Sequence, residues 1–404
     1  MASTVIVGGG IIGLSTAYYL SQHQPGSSIH IVDSSPELFA SASGYAGGFL
    51  AKSNWFYFDP SVSALATLSF DEHQKLAEQE GGRENWEYTK TTSLRYTRTD
   101  TKARSEDGAK DWMEKGKSRA IRSAGQQGDE YAPAWLKRVD GDEVALIDDK
   151  EQTAILDPLK LCQFLLHKCK QEGVQIHHPA TVLSIGTDVQ DELSCVCIGY
   201  TNSSTETEIP TTRILLSAGA WTPQVFKSLF KSSSINIPVY PMAGHSLVVK
   251  KPNVPDDTNH IVFATLDDGS SPEFGSRSGG VVYFAGVNSM SIPLPPLATG
   301  SKREDESLTQ LKQMAKALVS SDEELQTMRT GLCFRPVTER GTPYIGRLTD
   351  EQIGIKTRTG EEGGLFIAVG HGPWGILMSL GTGRVMAEMM AGKETSVDVS
   401  VLAL

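Results

Sequence analysis

The 404-residue sequence predicts an α/β fold, in two domains or one large composite, and three observations carry that reading. First, Val5-Ile6-Val7 runs into Gly8-Gly9-Gly10, Gly13 follows, and an amphipathic helix is expected through Leu20. Second, a strand at Ile29-His30-Ile31-Val32 ends in Asp33, 20 residues past Gly13. Third, the apolar run 364–369 meets Gly370-His371-Gly372-Pro373-Trp374-Gly375, with a helix expected over residues 376–390.

The first unit has the pattern of a dinucleotide-binding βαβ turn. Gly8 makes the tight turn, Gly10 lets the backbone approach a pyrophosphate, and Gly13 lets helix and strand pack closely. The helix N-terminus offers unpaired N–H groups to the phosphates, and Asp33 is placed to accept from a ribose hydroxyl. The motif leaves NAD and FAD both open. Residues 41–50 (SASGYAGGFL) are small and glycine-rich, suited to a backbone lying against a flat ligand. A helix is expected over 70–80, through Phe70, His73, Leu76 and Ala77, and a strand within 87–98. Residues 99–130 read as a long surface insertion. Its stretch from Lys102 to Arg122, interleaved with Glu106, Asp107, Asp111 and Glu114, reads as solvated and partly mobile.

Pattern resumes at Asp157-Pro158, with proline at the first turn of a helix whose buried face is Leu161, Phe164, Leu165 and Cys169. Gly173 ends it, and strands follow at 174–176 and 181–185. A hairpin is expected at 195–200 and 205–210, then a buried strand from Arg213 into the small-residue turn Ala218-Gly219-Ala220-Trp221. Strands follow at 246–250, 260–265 and 280–286. A helix over 305–318 carries the stripe Leu308, Leu311, Met314, Ala315 and Leu318.

Composition narrows the function. Hydrophobic residues at 39% and charged residues at 21% are ordinary for a globular protein. No apolar run approaches a membrane span. A net charge of −11, from 37 basic and 48 acidic residues, argues against a nucleic-acid partner. The first strand starts too early to leave room for a signal peptide, and Val401–Leu404 is not a peroxisomal address, so the expected location is the cytoplasm. The five cysteines include no CxxC pair. Cys162 with Cys169, and Cys195 with Cys197, have no histidines at metal spacing and read as buried small hydrophobes in a reduced compartment; no metal is expected.

Two glycine loops at opposite ends point to one extended ligand gripped at both, and FAD fits. The first loop takes the pyrophosphate. The second aims a helix N-terminus at the flavin N1–C2=O edge, where charge gathers on reduction. An NAD enzyme has no need of that second loop.

From Thr4 to about Lys393 the chain resembles the FAD-dependent D-amino acid oxidase family, in its glycine oxidase and sarcosine oxidase branch. The resemblance rests on GGGIIG with Asp33, SASGYAGGF, DPLKL, residues 218–221 and Pro241-Met242-Ala243-Gly244-His245. Its most specific parts are Phe334-Arg335-Pro336-Val337-Thr338-Glu339-Arg340-Gly341-Thr342-Pro343-Tyr344-Ile345-Gly346 and the GHGPWG loop.

The resemblance implies a Rossmann-like FAD-binding domain (1–55, 151–225 and 331–404) with an interleaved β-rich α+β substrate domain (56–150 and 226–330). It places Ile11 and Ile12 over the pyrophosphate, and Asp33 and Ser34 at the adenosine ribose. Ala42, Ser43, Gly47, Gly48 and Phe49 would line the stretch toward the flavin. Val182 would bind adenine through its backbone, with Ala218, Gly219 and Trp221 nearby. Gly346 and His371, Gly372, Pro373, Trp374, Gly375, Ile376 and Leu377 would hold the ring.

It further implies that Arg335 grips a substrate carboxylate as a fork. The expected reaction is oxidation of a C–N bond in a small amine or amino acid, by hydride transfer from the α-carbon to flavin N5. Oxygen is the expected acceptor, and positioning supplies most of the catalysis. No protein base is assigned. His371 and His245 are equally readable as structural, Trp374 is a candidate substrate wall, and Trp55, Tyr57 and Tyr283 are further aromatic candidates. In sarcosine and fructosyl-amine oxidases a cysteine at the place of Cys333 carries the flavin covalently. The chain departs from its relatives at Pro373, where glycine oxidase has a second substrate-binding arginine. It departs again at 280–286, where sarcosine oxidase has a lysine that assists the oxygen reaction. Two alternatives therefore stay open: a dehydrogenase using another acceptor, and a weakly active FAD-bound protein with a regulatory or interaction role.

Overall fold

In a computed structural model, residues 3–53, 56, 59–98, 118–123, 125–250 and 259–404 are described. A six-stranded sheet is ordered Tyr344–Leu348, Gly364–Val369, Arg213–Leu216, Thr4–Val7, Ile29–Val32, Gln175–His177. Its strands run parallel except the antiparallel edge Tyr344–Leu348. Parallel strands covered on both faces read as unbroken apolar runs, which is why they were legible. Ile6, Leu215 and Phe366 face one core, packed with the helices Ile11–Leu20, Ser63–Glu80, Pro158–Gln171 and Ser379–Met390. Val5, Val7, Ile214 and Leu216 face the other. That second core is closed by an antiparallel sheet of Ala180–Thr187, Leu193–Tyr200 and Glu206–Pro210, and by the helix Thr222–Leu229.

An eight-stranded sheet is ordered Thr327–Val337, Tyr240–Lys250, Val281–Ser289, Glu273–Arg277, His260–Thr265, Thr92–Thr97, Glu143–Asp148, Gln126–Gln127. The helix Asp305–Leu318 packs Leu311, Met314, Ala315 and Leu318 against Leu247, Val249, Val282 and Phe284 on one face. Alternation along the strands then turns Tyr283, Ala285, Glu273, Cys333 and Arg335 to the opposite face, toward the six-stranded sheet. Thr327–Val337 pairs with Tyr240–Lys250 up to Val337, so this sheet continues past the boundary read at residue 330.

Several elements differ from expectation for physical reasons. The first helix is buried almost all round rather than amphipathic, because it lies between the sheet and two other helices. The C-terminal helix starts at Ser379, not 376; the chain reaches it through a 3₁₀ turn at Gly372–Trp374, with Pro373 in it and Gly372 at φ +54°, followed by a turn over 375–378. The helix read from 70 begins at Ser63. Asp157 caps the helix Pro158–Gln171 as its Oδ1 accepts from the N–H groups of Leu159 and Lys160. Cys162, Cys169 and Cys333 are buried, but Cys195 and Cys197 are only half-buried, on the middle strand of the three-stranded sheet; all five are free. Residues 99–117 and 124 of the expected insertion, with Trp55 and Tyr57, lie outside the described residues. The end of the stretch read as solvated is not: Ser118, Arg119, Ala120 and Ser123 are buried, whereas Gln126, Gln127, Asp129 and Glu130 beyond it are exposed. Among the described residues no helix is long and apolar enough to cross a membrane.

Candidate active site

A cavity of about 520 Å³ lies between the two large sheets. The first glycine turn forms part of its wall. Gly8 has φ +112°, and a Cβ there would lie 2.5 Å from the Ser217 carbonyl oxygen. A Cβ on Gly13 would lie 2.1 Å from the Gly8 carbonyl oxygen, so Gly13 sits behind the wall and sets the approach of helix to strand. Gly10 leaves the first helix without a side-chain cap, and the Ile11 N–H donates to Ser43 Oγ at 3.0 Å. Asp33 is held by two backbone donors, Gly9 N–H on Oδ2 at 2.8 Å and Ser35 N–H on Oδ1 at 2.9 Å.

Of the residues anticipated to hold the cofactor, Gly8, Gly10, Ile11, Ile12, Asp33, Ser34, Ala42, Ser43, Gly47, Gly48 and Phe49 line this cavity. So do Val182, Ala218, Gly219, Trp221, His371, Gly372, Pro373, Gly375 and Ile376. Gly13, Gly346, Trp374 and Leu377 do not line it. Trp374 is buried and its indole N–H donates to the Phe56 carbonyl at 2.7 Å, while Leu377 is fully buried in the core. Trp374 therefore braces the loop from behind the cavity wall. The uncapped helix end, the glycine cradle and the fixed Asp33 carboxylate fit the adenosine pyrophosphate half of FAD.

Two arginines that no motif marks hold the glycine-rich loop. Arg277 is buried; its Nη2 donates to the carbonyls of Ala46, at 3.0 Å, and Gly47, and its Nη1 lies 3.4 Å from Asp157 Oδ2. Arg329 Nη1 donates to the Gly44 carbonyl at 3.2 Å. The Tyr283 hydroxyl donates to the Tyr45 carbonyl at 3.0 Å, and burial pushes its pKa up. Each of these side chains comes from the eight-stranded sheet, on strands whose partners were not legible.

The chemistry-bearing end gathers around Arg335, whose Nη1 donates to Asn288 Oδ1 at 2.8 Å; both residues line the cavity. Cys333 lines it too, and burial pushes its thiol pKa up. His371 is buried, shares a 3.1 Å hydrogen bond with Thr382 Oγ1, and is pushed by burial to about 3, which makes it a neutral imidazole. His245 lies off the cavity, with Nε2 accepting from the Glu304 N–H at 3.1 Å. Asn288, Arg119 and Glu273 also line the wall and were missed. Arg119 was hidden in a charged, aperiodic segment, and Glu273 on a strand of five residues without apolar alternation.

Comparison with known proteins agrees with this arrangement. A Schizosaccharomyces pombe protein provisionally named an oxidoreductase is 25% identical over 98% of this chain and 96% of its own length. A D-amino acid dehydrogenase of Bradyrhizobium diazoefficiens is 30% identical over 47% of this chain and 39% of its own. The crystal structure of glycine oxidase from Geobacillus kaustophilus superposes with a TM-score of 0.73, at 20% identity, over 100% of this chain and 98% of that one. The profile described as "DAO: FAD dependent oxidoreductase" matches residues 3–389, an interval that takes in both glycine loops, Arg335 and the two sheets between which the cavity lies. A chain matched from its first strand to its last long helix belongs to that family: this protein is a DAO-family oxidoreductase whose cofactor is FAD.

Proposed function

We propose that the protein is a cytoplasmic enzyme that oxidises the C–N bond of a small amine or amino acid, with Arg335 as anchor for the substrate carboxylate. The observation that carries this is a guanidinium on the cavity wall, held from one side by Asn288, with His371, Gly372, Pro373, Gly375 and Ile376 of the second glycine loop lining the same cavity. A guanidinium presents five N–H donors in a planar fork, so one bond to Asn288 leaves the rest for a carboxylate.

FAD, which the two glycine loops and the residues between them would hold, would supply a two-electron acceptor for the substrate's α-hydrogen. The chain's own part is positioning. Arg335 fixes the carboxylate end, and the buried sheet face of Tyr283 and Ala285 excludes water beside it. His371, neutral and engaged with Thr382, acts as a support of the loop. No side chain is assigned as base, so the amine enters unprotonated. The glycine oxidase likeness and five free cysteines, which suit a reducing compartment, support the reading.

Transfer to an acceptor other than oxygen is the second reading. The strand Val281–Ser289 presents Tyr283, Ala285 and Asn288 to the cavity, with no lysine on it. A D-amino acid dehydrogenase among the relatives is in line with it. Anaerobic mixing of the yellow holoenzyme with a panel of amines and amino acids tests both. Bleaching is expected with a carboxylate-bearing amine; air then restores colour with peroxide if oxygen is the acceptor, and an artificial acceptor does so if it is not. A holoenzyme that no member of the panel bleaches would overturn both and leave the weakly active FAD-bound protein with a regulatory or interaction role.

A further inference from the structure

A second polar pair faces the cavity at a distance from Arg335. Arg119 and Glu273 both line it. Arg119 Nε donates to Glu273 Oε1 at 2.8 Å and Nη2 to Oε2 at 2.5 Å, a side-on fork whose side chains are 3% and 13% exposed. The guanidinium lies over the rings of Phe56, at 4.4 Å, and Phe263, at 5.5 Å. Its Nη1 is buried with no hydrogen-bond partner. Buried donors on a charged group are seldom left unpaired, and this orphan belongs to a residue of the cavity wall, where a small turn of the guanidinium would bring it to a ligand acceptor.

Register fixes where this pair stands. Glu273 is opposite Ala285, and Asn288, which holds Arg335, lies further along that same strand beside Gly244. Glu273 and Asn288, the residues that hold the two arginines, thus lie on one sheet face, their positions along the strand Val281–Ser289 roughly 10 Å apart.

We propose that Arg119 and Glu273 form a second substrate anchor that takes a neutral carbonyl, and best a primary carboxamide, on the substrate's side chain. The inference rests on the reading of Arg335 as the carboxylate anchor and names the class of amino acid that follows from it. Arg119 Nη1 donates to the carboxamide oxygen, and the remaining lone pairs of the Glu273 carboxylate accept from its NH₂. A side-chain carboxylate is disfavoured. Glu273 already balances the guanidinium charge, so a second anion there would lie beside an uncompensated one.

The test uses the holoenzyme with alanine, norleucine, glutamine and glutamate in both enantiomers. The rate of anaerobic flavin bleaching and the ligand-induced rise in Tm are both read. In the unmodified protein glutamine is expected to bind at least about tenfold more tightly than norleucine or glutamate. R119M/E273M removes both charges together and is expected to abolish that preference. E273Q keeps the arginine and removes the repulsion, and is expected to move the preference about tenfold toward glutamate. If the double variant does not fold, E273Q alone decides. Equal binding of glutamine, glutamate and norleucine, a preference for glutamate in the unmodified protein, or no change of preference in E273Q overturns the anchor. Bleaching by alanine without side-chain discrimination removes the anchor and leaves amino acid oxidation standing. If no amino acid either bleaches the flavin or raises Tm, both readings fall.

Discussion

His73 Nε2 lies 2.8 Å from the carbonyl oxygen of Ile376, tying the helix Ser63–Glu80 to the loop that lines the cavity after Gly364–Val369. The imidazole is buried, and burial pushes its pKa down to about 4. Neutral imidazole can donate Nε2–H to this carbonyl.

That burial makes a pH prediction. The folded pKa of about 4 lies below the ~6.5 of an unfolded histidine, so the unfolded chain binds the proton first. The contribution is fully present above about pH 6.5 and is lost as pH falls toward about 4, by on the order of 3 kcal/mol. His371, pushed down to about 3, acts in the same direction. Tm measured from pH 7 to pH 4.5 is expected to fall. H73N, which keeps an amide donor but cannot titrate, should show a shallower fall; an unchanged slope would remove His73 from the account.

Gly13→Ala tests the first turn. Its Cβ would meet the Gly8 carbonyl oxygen at 2.1 Å, a backbone atom that cannot turn away. Helix and strand must separate, at a cost of about 1–3 kcal/mol. The variant is expected to purify with less FAD, read as the ratio of flavin to protein absorbance, and with a lower Tm. Full FAD occupancy would show that the turn tolerates the shift.

Arg277→Met tests the clamp on the glycine-rich loop. It removes the donors to Ala46 and Gly47 and the Asp157 partner, each a hydrogen bond of a charged group in a buried setting. About 1.5–3 kcal/mol is expected for one such bond. FAD retention on dilution and Tm should both drop, although Arg277 does not line the cavity. Loss of Tm without loss of FAD would make the clamp purely structural.

Arg335→Ala is expected to weaken a carboxylate-bearing substrate by about 10- to 100-fold, from the charged hydrogen bonds it removes, while FAD stays bound. Amines without a carboxylate should lose much less. Bleaching at the unmodified rate with an amino acid would assign the carboxylate elsewhere.

Cys333 lines the cavity, but burial pushes its pKa up and favours the thiol over the nucleophilic thiolate. Acid precipitation is therefore expected to release all colour into the supernatant. A yellow pellet would establish the covalent link.

The parallel strands, both glycine loops and the helix Asp305–Leu318 were legible because each has a local signature: unbroken apolar runs, glycines that no other residue can replace, and a 3.6-residue stripe. The strands Glu273–Arg277 and Thr327–Val337 were not. One sheet face packs on a helix and the other on a cavity that needs polar and charged side chains, so the apolar alternation that marks a strand is broken there. Trp374 misled for a related reason. Its motif neighbours line the cavity, but the 3₁₀ turn at Gly372–Trp374 carries its ring into the protein, toward the Phe56 carbonyl.

By itself the sequence determined the nucleotide-binding turn, its second partner at the other end of the chain, and with them the family and the cofactor. These depend on residues adjacent in the chain, where backbone conformation and helix ends decide what can bind. Tertiary structure alone decided what surrounds the reacting end. Arg335 meets Asn288 across 47 positions, and Arg119 meets Glu273 across 154. Such pairs are made by strand register and packing between distant segments. A buried arginine and a solvated one are spelled the same way until the chain has folded.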